Sequence, residues 1–241
     1  MTQNDVLKKI EELKIQYCSF ANVNIRSMSM KIEFTDEINP SVQIGNPPIL
    51  YINPIFFKLE QDRILPILYH EFTHVNDYCT CFLNKSLFDR ELIVLLYSEI
   101  HATIVELQVA TGFSNLNDYM LLTTESVINT INGKGTIGEY MDKGDEILGK
   151  AIEQFLTNKT KSNFICFIKE LGYAIGRLSF AQKYINSNAI SVFNLTKAMD
   201  IFGHKIEEII AIGVKGDLSE KEMVYITNTW VELMNANTVP N

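Results

Sequence analysis

The chain has 241 residues, of which 46% are hydrophobic and 21% are charged. These values are typical of a globular protein and exclude the apolar-poor, highly charged composition of a disordered chain. The 21 Lys and Arg against 29 Asp and Glu give a formal net charge of -8. Because no basic stripe offsets this charge, we expect no nucleic-acid partner.

The amino-terminal part of the chain predicts one helix and a small sheet. A polar-faced helical pattern covers residues 4–17 and lacks the apolar core of a secretory signal, so we expect a cytoplasmic protein. Strand patterns follow at residues 28–34, 42–44 and 49–52, separated by turn-rich stretches. They predict a small mixed or antiparallel sheet, with the antiparallel form as the natural interpretation.

Two helices are predicted after these strands. Helical periodicity runs from about residue 58 to residue 78, with Pro66 either kinking the helix or marking its start. A more apolar helix covers residues 92–110 and ends near Gly112, a residue suited to a left-handed cap. Since titratable residues interrupt its middle, we interpret it as a buried helix whose polar side chains have a functional role, and we expect no membrane span.

The second half of the chain is predicted to be all helical, because helical periodicity recurs and no convincing strand pattern appears. The glycines at 133, 135 and 138 crowd one connection, which we interpret as a flexible loop. The four cysteines fit no disulfide framework. The predicted helices cover residues 118–131, 146–156, 162–185, 189–202, 205–214 and 219–234.

The first of the two central helices carries the spacing of a metal site. His70 and His74 lie four residues apart, so a helix places both imidazoles on one face, where one zinc ion can bridge them. Glu71 is placed to take a proton from water, whose pKa zinc lowers to about 7. With only four His in the chain, a chance match is roughly a one-in-two-hundred event. The motif predicts zinc-dependent hydrolysis of a peptide bond, with Glu71 as general base and later acid.

A catalytic zinc ordinarily needs a third protein ligand, and Glu99 is the candidate on the second helix. Glu99 and Glu106 are seven residues apart and share one face of an apolar helix, with Ala102 and Thr103 between them. A buried carboxylate costs several kcal/mol unless it is paired or binds a metal, and coordination by Glu99 would remove that cost. His101 is the competing ligand, but it projects about 200° around the helix from Glu99.

Two further carboxylates have open roles. Glu106 either accepts the other ring N–H of a ligand histidine, fixing its tautomer, or pairs with a lysine. Asp77 follows His74 by three residues and so lies on the ligand face, where it either orients a ligand, binds metal, or is a solvated residue in the last turn of the helix. The sequence does not choose between these alternatives.

The segments Tyr69-His70-Glu71-Phe72-Thr73-His74 and Ser98-Glu99-Ile100-His101-Ala102 resemble the gluzincins. In these zinc metallopeptidases a HExxH helix is followed by a second helix that supplies a glutamate. The resemblance covers roughly residues 25–112, and the length of the chain is closer to minimal cytoplasmic or phage-associated members. Thermolysin-like members have an aspartate four residues after the ligand glutamate, where this chain has Thr103.

The resemblance implies an α+β fold with a zincin-like subdomain at residues 1–114 and an all-α subdomain at 115–241. It implies Zn²⁺ as cofactor, His70, His74 and Glu99 as metal ligands, and Glu71 as the catalytic residue. The implied partner is a peptide or protein substrate, added as a strand at a sheet edge that corresponds to residues 49–52. The alternative is a catalytically silent protein that binds a peptide or partner protein in a regulatory role.

Hydrolysis by such a site also needs a donor for the oxyanion of the tetrahedral intermediate, usually Tyr, His or Arg from the carboxyl-terminal part. The sequence offers four candidates without ranking them: Tyr140, Tyr173, Arg177 and His204.

Overall fold

The computed structural model describes residues 2–25, 28–81, 85–185 and 192–239. In these ranges the protein is a mixed α+β fold, mostly helical, with small sheets. The chain divides into two compact units. The first comprises Met1–Glu91, Val105–Met120 and Val127–Gly135, and the second comprises Leu92–Ile104, Leu121–Ser126 and Thr136–Asn241. These units are defined by packing alone, so the predicted subdomain boundary at residue 114 stays a prediction.

The first helix of unit 1, α1, spans Gln3–Ala21 and is longer than predicted. It begins at a capping box in which the side chains of Thr2 and Asp5 each bond the other's backbone N–H. Its fully buried residues recur at helical spacing and form one apolar face. They include Val6, Ile10, Leu13 and Tyr17.

The three-stranded sheet of unit 1 is mixed, which corrects the antiparallel interpretation. Strands β1 (Lys31–Phe34), β2 (Ser41–Gln43) and β3 (Ile49–Ile52) lie in the order β1-β3-β2. Strand β3 is parallel to β1 and antiparallel to β2. The last strand in sequence occupies the centre because it is the most apolar, with Leu50 and Ile52 fully buried. Residues 49–52 therefore do not form a sheet edge, contrary to what the resemblance implied.

Helix α2 spans Gln61–Thr80 and follows a short 3-10 helix at Pro54–Lys58. Pro66 lies inside α2, so it does not mark the start of this helix. Helix α3 spans Leu87–Ala110 and begins five residues before the predicted start. Ser86 caps it, since its side chain accepts a hydrogen bond from the backbone N–H of Asp89.

Helix α3 is also the one described helix long and apolar enough to cross a membrane, between Asp89 and Ala110. Of its most apolar 18-residue window, 61% is buried inside the protein. The buried core helix of a water-soluble protein meets the same criteria of length and composition, so this feature is weak evidence for a membrane span.

The region predicted as a helix at residues 118–131 instead contains a strand, and the predicted glycine loop forms its partner. Strands β4 (Val127–Thr130) and β5 (Gly133–Thr136) pair as a two-stranded sheet joined by two residues. The sequence Asn132-Gly133 favours such a hairpin, and Gly133 has a φ of 114° that suits glycine. Valine, isoleucine and threonine in β4 favour an extended chain over a helix. The expectation that the second half is all helical was therefore wrong.

Unit 2 contains the middle of α3 and five later helices. Helix α4 begins nine residues before the predicted start, at a capping box formed by Thr136 and Glu139. For the helix predicted at residues 189–202, the first predicted residues, 189–191, lie outside the described residues. The helices are α4 (Ile137–Thr157), α5 (Lys161–Tyr184), α6 (Phe193–Phe202), α7 (His204–Gly213) and α8 (Glu220–Asn237).

Within unit 2, α5 packs closely on α3 through two glycines one turn apart. A methyl group at Gly172 would lie 2.7 Å from Cβ of Glu99. A methyl group at Gly176 would lie 2.7 Å from both the backbone oxygen of Ile100 and Cβ of Thr103. Since real Cβ atoms do not approach other atoms so closely, the missing side chains allow the two helices to meet and fix their register.

We expect Gly176→Ala to lower the free energy of unfolding by about 1–3 kcal/mol, because the added methyl group meets a backbone oxygen that cannot move aside. The better helix propensity of alanine, worth about 1 kcal/mol, offsets only part of this. Urea unfolding measures the change. Gly138→Ala in α4 is the control, since its methyl group would meet nothing closer than 3.4 Å. A Gly176→Ala protein as stable as the control would contradict the close approach.

Candidate metal centre

The two predicted histidine ligands project from one face of α2. His70 is buried and His74 is half-buried, and their ring centroids lie 4.7 Å apart. The helix presents them because its apolar residues, among them Leu68, Phe72 and Val75, are fully buried and fix which face turns inward. The predicted spacing therefore gives two neighbouring imidazoles.

Contacts from α1 hold this part of α2 in place. The hydroxyl of Tyr17 donates to Oγ1 of Thr73 at 3.2 Å. The hydroxyl of Thr73 in turn donates to the backbone oxygen of Tyr69 at 2.7 Å. The ring of Tyr17 also meets Tyr69 edge-on. Burial, and secondarily the charge of Asp77, raise the pKa of Tyr17, so its phenol keeps the proton that it donates. The residues around the histidines are thus held by a buried hydrogen-bonded chain.

The predicted third ligand, Glu99, joins the two histidines. One ligand atom each from His70, His74 and Glu99 lie within 4.8 Å of one another, and Glu99 is 4% exposed. A tetrahedral zinc with bonds of about 2.1 Å separates its ligands by about 3.4 Å, so side-chain movements of about 1 Å would close the group on an ion. Two imidazole nitrogens and a carboxylate oxygen also suit zinc chemically. The three side chains could therefore hold a metal ion.

Glu106 lies beside the first ligand. Its Oε2 is 2.9 Å from Nδ1 of His70, within hydrogen-bonding distance, and both groups are largely buried. A carboxylate at Nδ1 favours the tautomer with the proton on that nitrogen, which leaves the lone pair of Nε2 for a metal. Of the two roles predicted for Glu106, the structure favours the acceptor role over pairing with a lysine.

The structure also shows the surroundings of Asp77, whose role was open, and of His101, the competing candidate for the third ligand. Asp77 is 2% exposed, so the interpretation as a solvated residue was wrong, and its charge acts on Tyr17 of α1. His101 is half-buried and stacks on Tyr97, with ring centroids 5.6 Å apart. Within the described residues, neither belongs to the group of His70, His74 and Glu99.

The structure distinguishes the four candidate oxyanion donors by the groups that their side chains contact. Arg177 is buried and donates to the backbone oxygen of Gly144 at 3.0 Å. His204 is largely exposed and lies against Glu207 and Glu208, which raise its pKa through a hydrogen bond and their charges. Both side chains are therefore engaged by groups other than the three candidate ligands.

The two tyrosines, Tyr140 and Tyr173, are half-buried. Tyr173 follows Gly172, which lies against Glu99, so it is better placed than Tyr140 by its position in the chain. The predicted base, Glu71, is half-buried and directly follows His70. Its role and the choice of donor stay predictions.

One charged neighbour of the centre was not predicted. Nζ of Lys169, on α5, lies 3.6 Å from Oε1 of Glu99. The available signal was the pair Gly172 and Gly176, spaced to let two helices meet, with Lys169 one turn before them. The sequence does not say which helix those glycines contact, so the partner of Lys169 could not be identified.

Comparisons of the chain with protein-family models, with curated proteins and with solved structures gave no match.

We expect Glu106→Gln to weaken zinc binding by about 10–100-fold, since an amide orients and polarises the imidazole of His70 less well than a carboxylate. Zinc titration in competition with a chromophoric chelator measures the affinity. Glu91→Gln, on the same helix about four turns away, is the matched control and should bind zinc as the unmodified protein does. Equal affinities for the two variants would contradict the role of Glu106.

Proposed function

We propose that this protein is a zinc-dependent metallopeptidase, with His70, His74 and Glu99 as metal ligands and Glu71 as general base. The observation that carries the proposal is the convergence within 4.8 Å of ligand atoms from two histidines on one helix and from Glu99, which follows His74 by 25 positions. Two histidines and one glutamate are a donor set found in catalytic zinc sites of peptidases.

The number of ligands supports catalysis over a structural role. Structural zinc sites are usually closed by four protein ligands, most often including cysteine, whereas catalytic sites keep one position open. In the part of the chain that the structure describes, the group has three members and none is a cysteine. The donor set thus leaves room for water and for a substrate carbonyl.

Each side chain of the centre has a chemical task in this proposal. Zinc held here would supply a Lewis acid, which acidifies water and polarises a peptide carbonyl group. Glu71 is half-buried beside His70 in the sequence, so it can accept the proton of water and later donate it to the leaving amine. Oε2 of Glu106, 2.9 Å from Nδ1 of His70, would orient that ring when zinc is bound.

The proposed substrate is a peptide or protein in extended conformation. A strand of substrate needs a sheet edge with unpaired backbone groups, which β3 does not offer because it has a neighbour on each side. Within this three-stranded sheet the edge strands are β1 and β2, and β2 packs against α2. We propose β2 as the edge that binds the substrate, in a cytoplasmic protein without nucleic-acid or membrane partners.

We expect Glu71→Gln to retain zinc but to lose peptidase activity by about 10²–10⁴-fold, because an amide cannot accept the proton of water. Activity is measured as chelator-sensitive cleavage of a peptide library. Unimpaired cleavage by Glu71→Gln would contradict the proposed role of Glu71 as general base. Zinc binding by the unmodified protein without chelator-sensitive cleavage would instead favour the catalytically silent, peptide-binding alternative.

We expect Glu99→Ala to be isolated without zinc, because two imidazoles alone hold the ion too weakly. Elemental analysis of the purified proteins gives the zinc content per chain, and circular dichroism shows whether the helices are retained. Glu91→Ala, which removes a carboxylate from the first part of α3, is the control. A folded Glu99→Ala protein with one zinc per chain would rule out Glu99 as a ligand.

A further inference from the structure

The buried carboxylate of Glu99 has a cation beside it that is not part of the proposed metal site. Nζ of Lys169 lies 3.6 Å from Oε1 of Glu99, and the side chains are 47% and 6% exposed, respectively. The separation is within ion-pair range but longer than a strong charge-assisted hydrogen bond of about 2.8 Å. The ammonium therefore neutralises Glu99 while remaining open to solvent.

The backbone fixes the position of Lys169. Gly172 brings α5 against Cβ of Glu99, and Gly176 brings it against Ile100 and Thr103. Lys169 lies three residues before Gly172, one turn along the same helix, so its stem starts beside Glu99. The ion pair thus follows from the packing of two helices and not from a chance meeting of two mobile surface side chains.

The surroundings of Glu99 make a counter-ion important. Glu170, the next residue on α5, has its pKa raised by burial and also by the negative charge of Glu99. Arg177, the buried cation of this helix, donates to the backbone of Gly144. Lys169 lies within ion-pair distance of Glu99. Without it, the repulsion between the charges of Glu99 and Glu170 would be less compensated.

We propose that Lys169 is a built-in competitor of the metal ion for Glu99, an inference that rests on the proposed function. Before zinc binds, the ammonium stabilises the negative charge of the buried carboxylate. A divalent ion on the same carboxylate repels the ammonium, which is half-exposed and can turn into solvent. Zinc binding exchanges one cation for another at Glu99, so Lys169 lowers the affinity for zinc and stabilises the metal-free protein.

The test measures zinc affinity and metal-free stability of the full chain with Lys169→Met. Competition between the protein and a chromophoric chelator, with zinc as the only added ligand, gives the affinity. We expect Lys169→Met to bind zinc about tenfold more tightly than the unmodified protein. In excess chelator, we expect its melting temperature to fall by about 2–4 °C. A lysine with a purely structural role would lower stability without raising the affinity for zinc.

Two matched variants separate the charge of Lys169 from its packing. Lys169→Arg keeps the cation and should retain an affinity close to that of the unmodified protein. Lys161→Met removes a lysine from the first turn of the same helix. Because Lys161 has no ion pair among the described residues, this change should leave the zinc affinity unchanged. In a Glu99→Gln background, Lys169→Met should no longer lower the metal-free melting temperature, because its partner charge is absent.

The outcomes distinguish this inference from the proposed function. If the unmodified protein binds zinc and Lys169→Met weakens this binding or leaves it unchanged, the proposed competition is overturned while the proposed metal site stands. Absence of zinc binding by both proteins would overturn the proposed function and the inference with it. Tighter binding by Lys169→Met, combined with a loss of metal-free stability, is the result that the exchange of cations predicts.

Discussion

The buried glutamate Glu99, 4% exposed and close to two imidazoles, is the constraint on which the rest of this structure depends. An ionised carboxylate in such a position is strongly unfavourable unless a cation compensates its charge. The ammonium of Lys169 at 3.6 Å compensates the charge of Glu99, and a metal ion that the two histidines share with it would do so as well. The proposed metal chemistry and the proposed competition by Lys169 are both consequences of the burial of this one charge.

The surrounding fold restricts how the side chains of the centre can move. The hydrogen-bonded chain from Tyr17 through Thr73 to the backbone of Tyr69 holds the turn of α2 that carries His70. Oε2 of Glu106 lies 2.9 Å from Nδ1 of His70, and Gly172 brings α5 against the stem of Glu99. Ligands that are positioned before an ion arrives lose less conformational freedom when they bind it, which raises affinity. These supports are distributed over α1, α3 and α5.

Features that depend on local spacing could be predicted from the sequence, whereas features that depend on distant partners could not. His70 and His74 follow from the helical repeat, and Glu99 was identified because a charge in an apolar helix needs an explanation. The central position of β3 was missed because strand order depends on which residues pair across the sheet. The hairpin at β4 and β5 was missed because helical periodicity was given more weight than the turn at Asn132-Gly133. The contact of Lys169 with Glu99 joins residues 70 positions apart, beyond the reach of any local pattern.

X-ray absorption spectroscopy at the zinc edge tests the central claim most directly, because it reports the ligands of the ion in the intact protein. We expect one zinc per chain with nitrogen and oxygen neighbours at about 2.0–2.2 Å and the outer-shell scattering of two imidazoles. A sulfur neighbour at about 2.3 Å would contradict it, since a cysteine would then hold the ion. A purified, folded protein that takes up no zinc would contradict it as well.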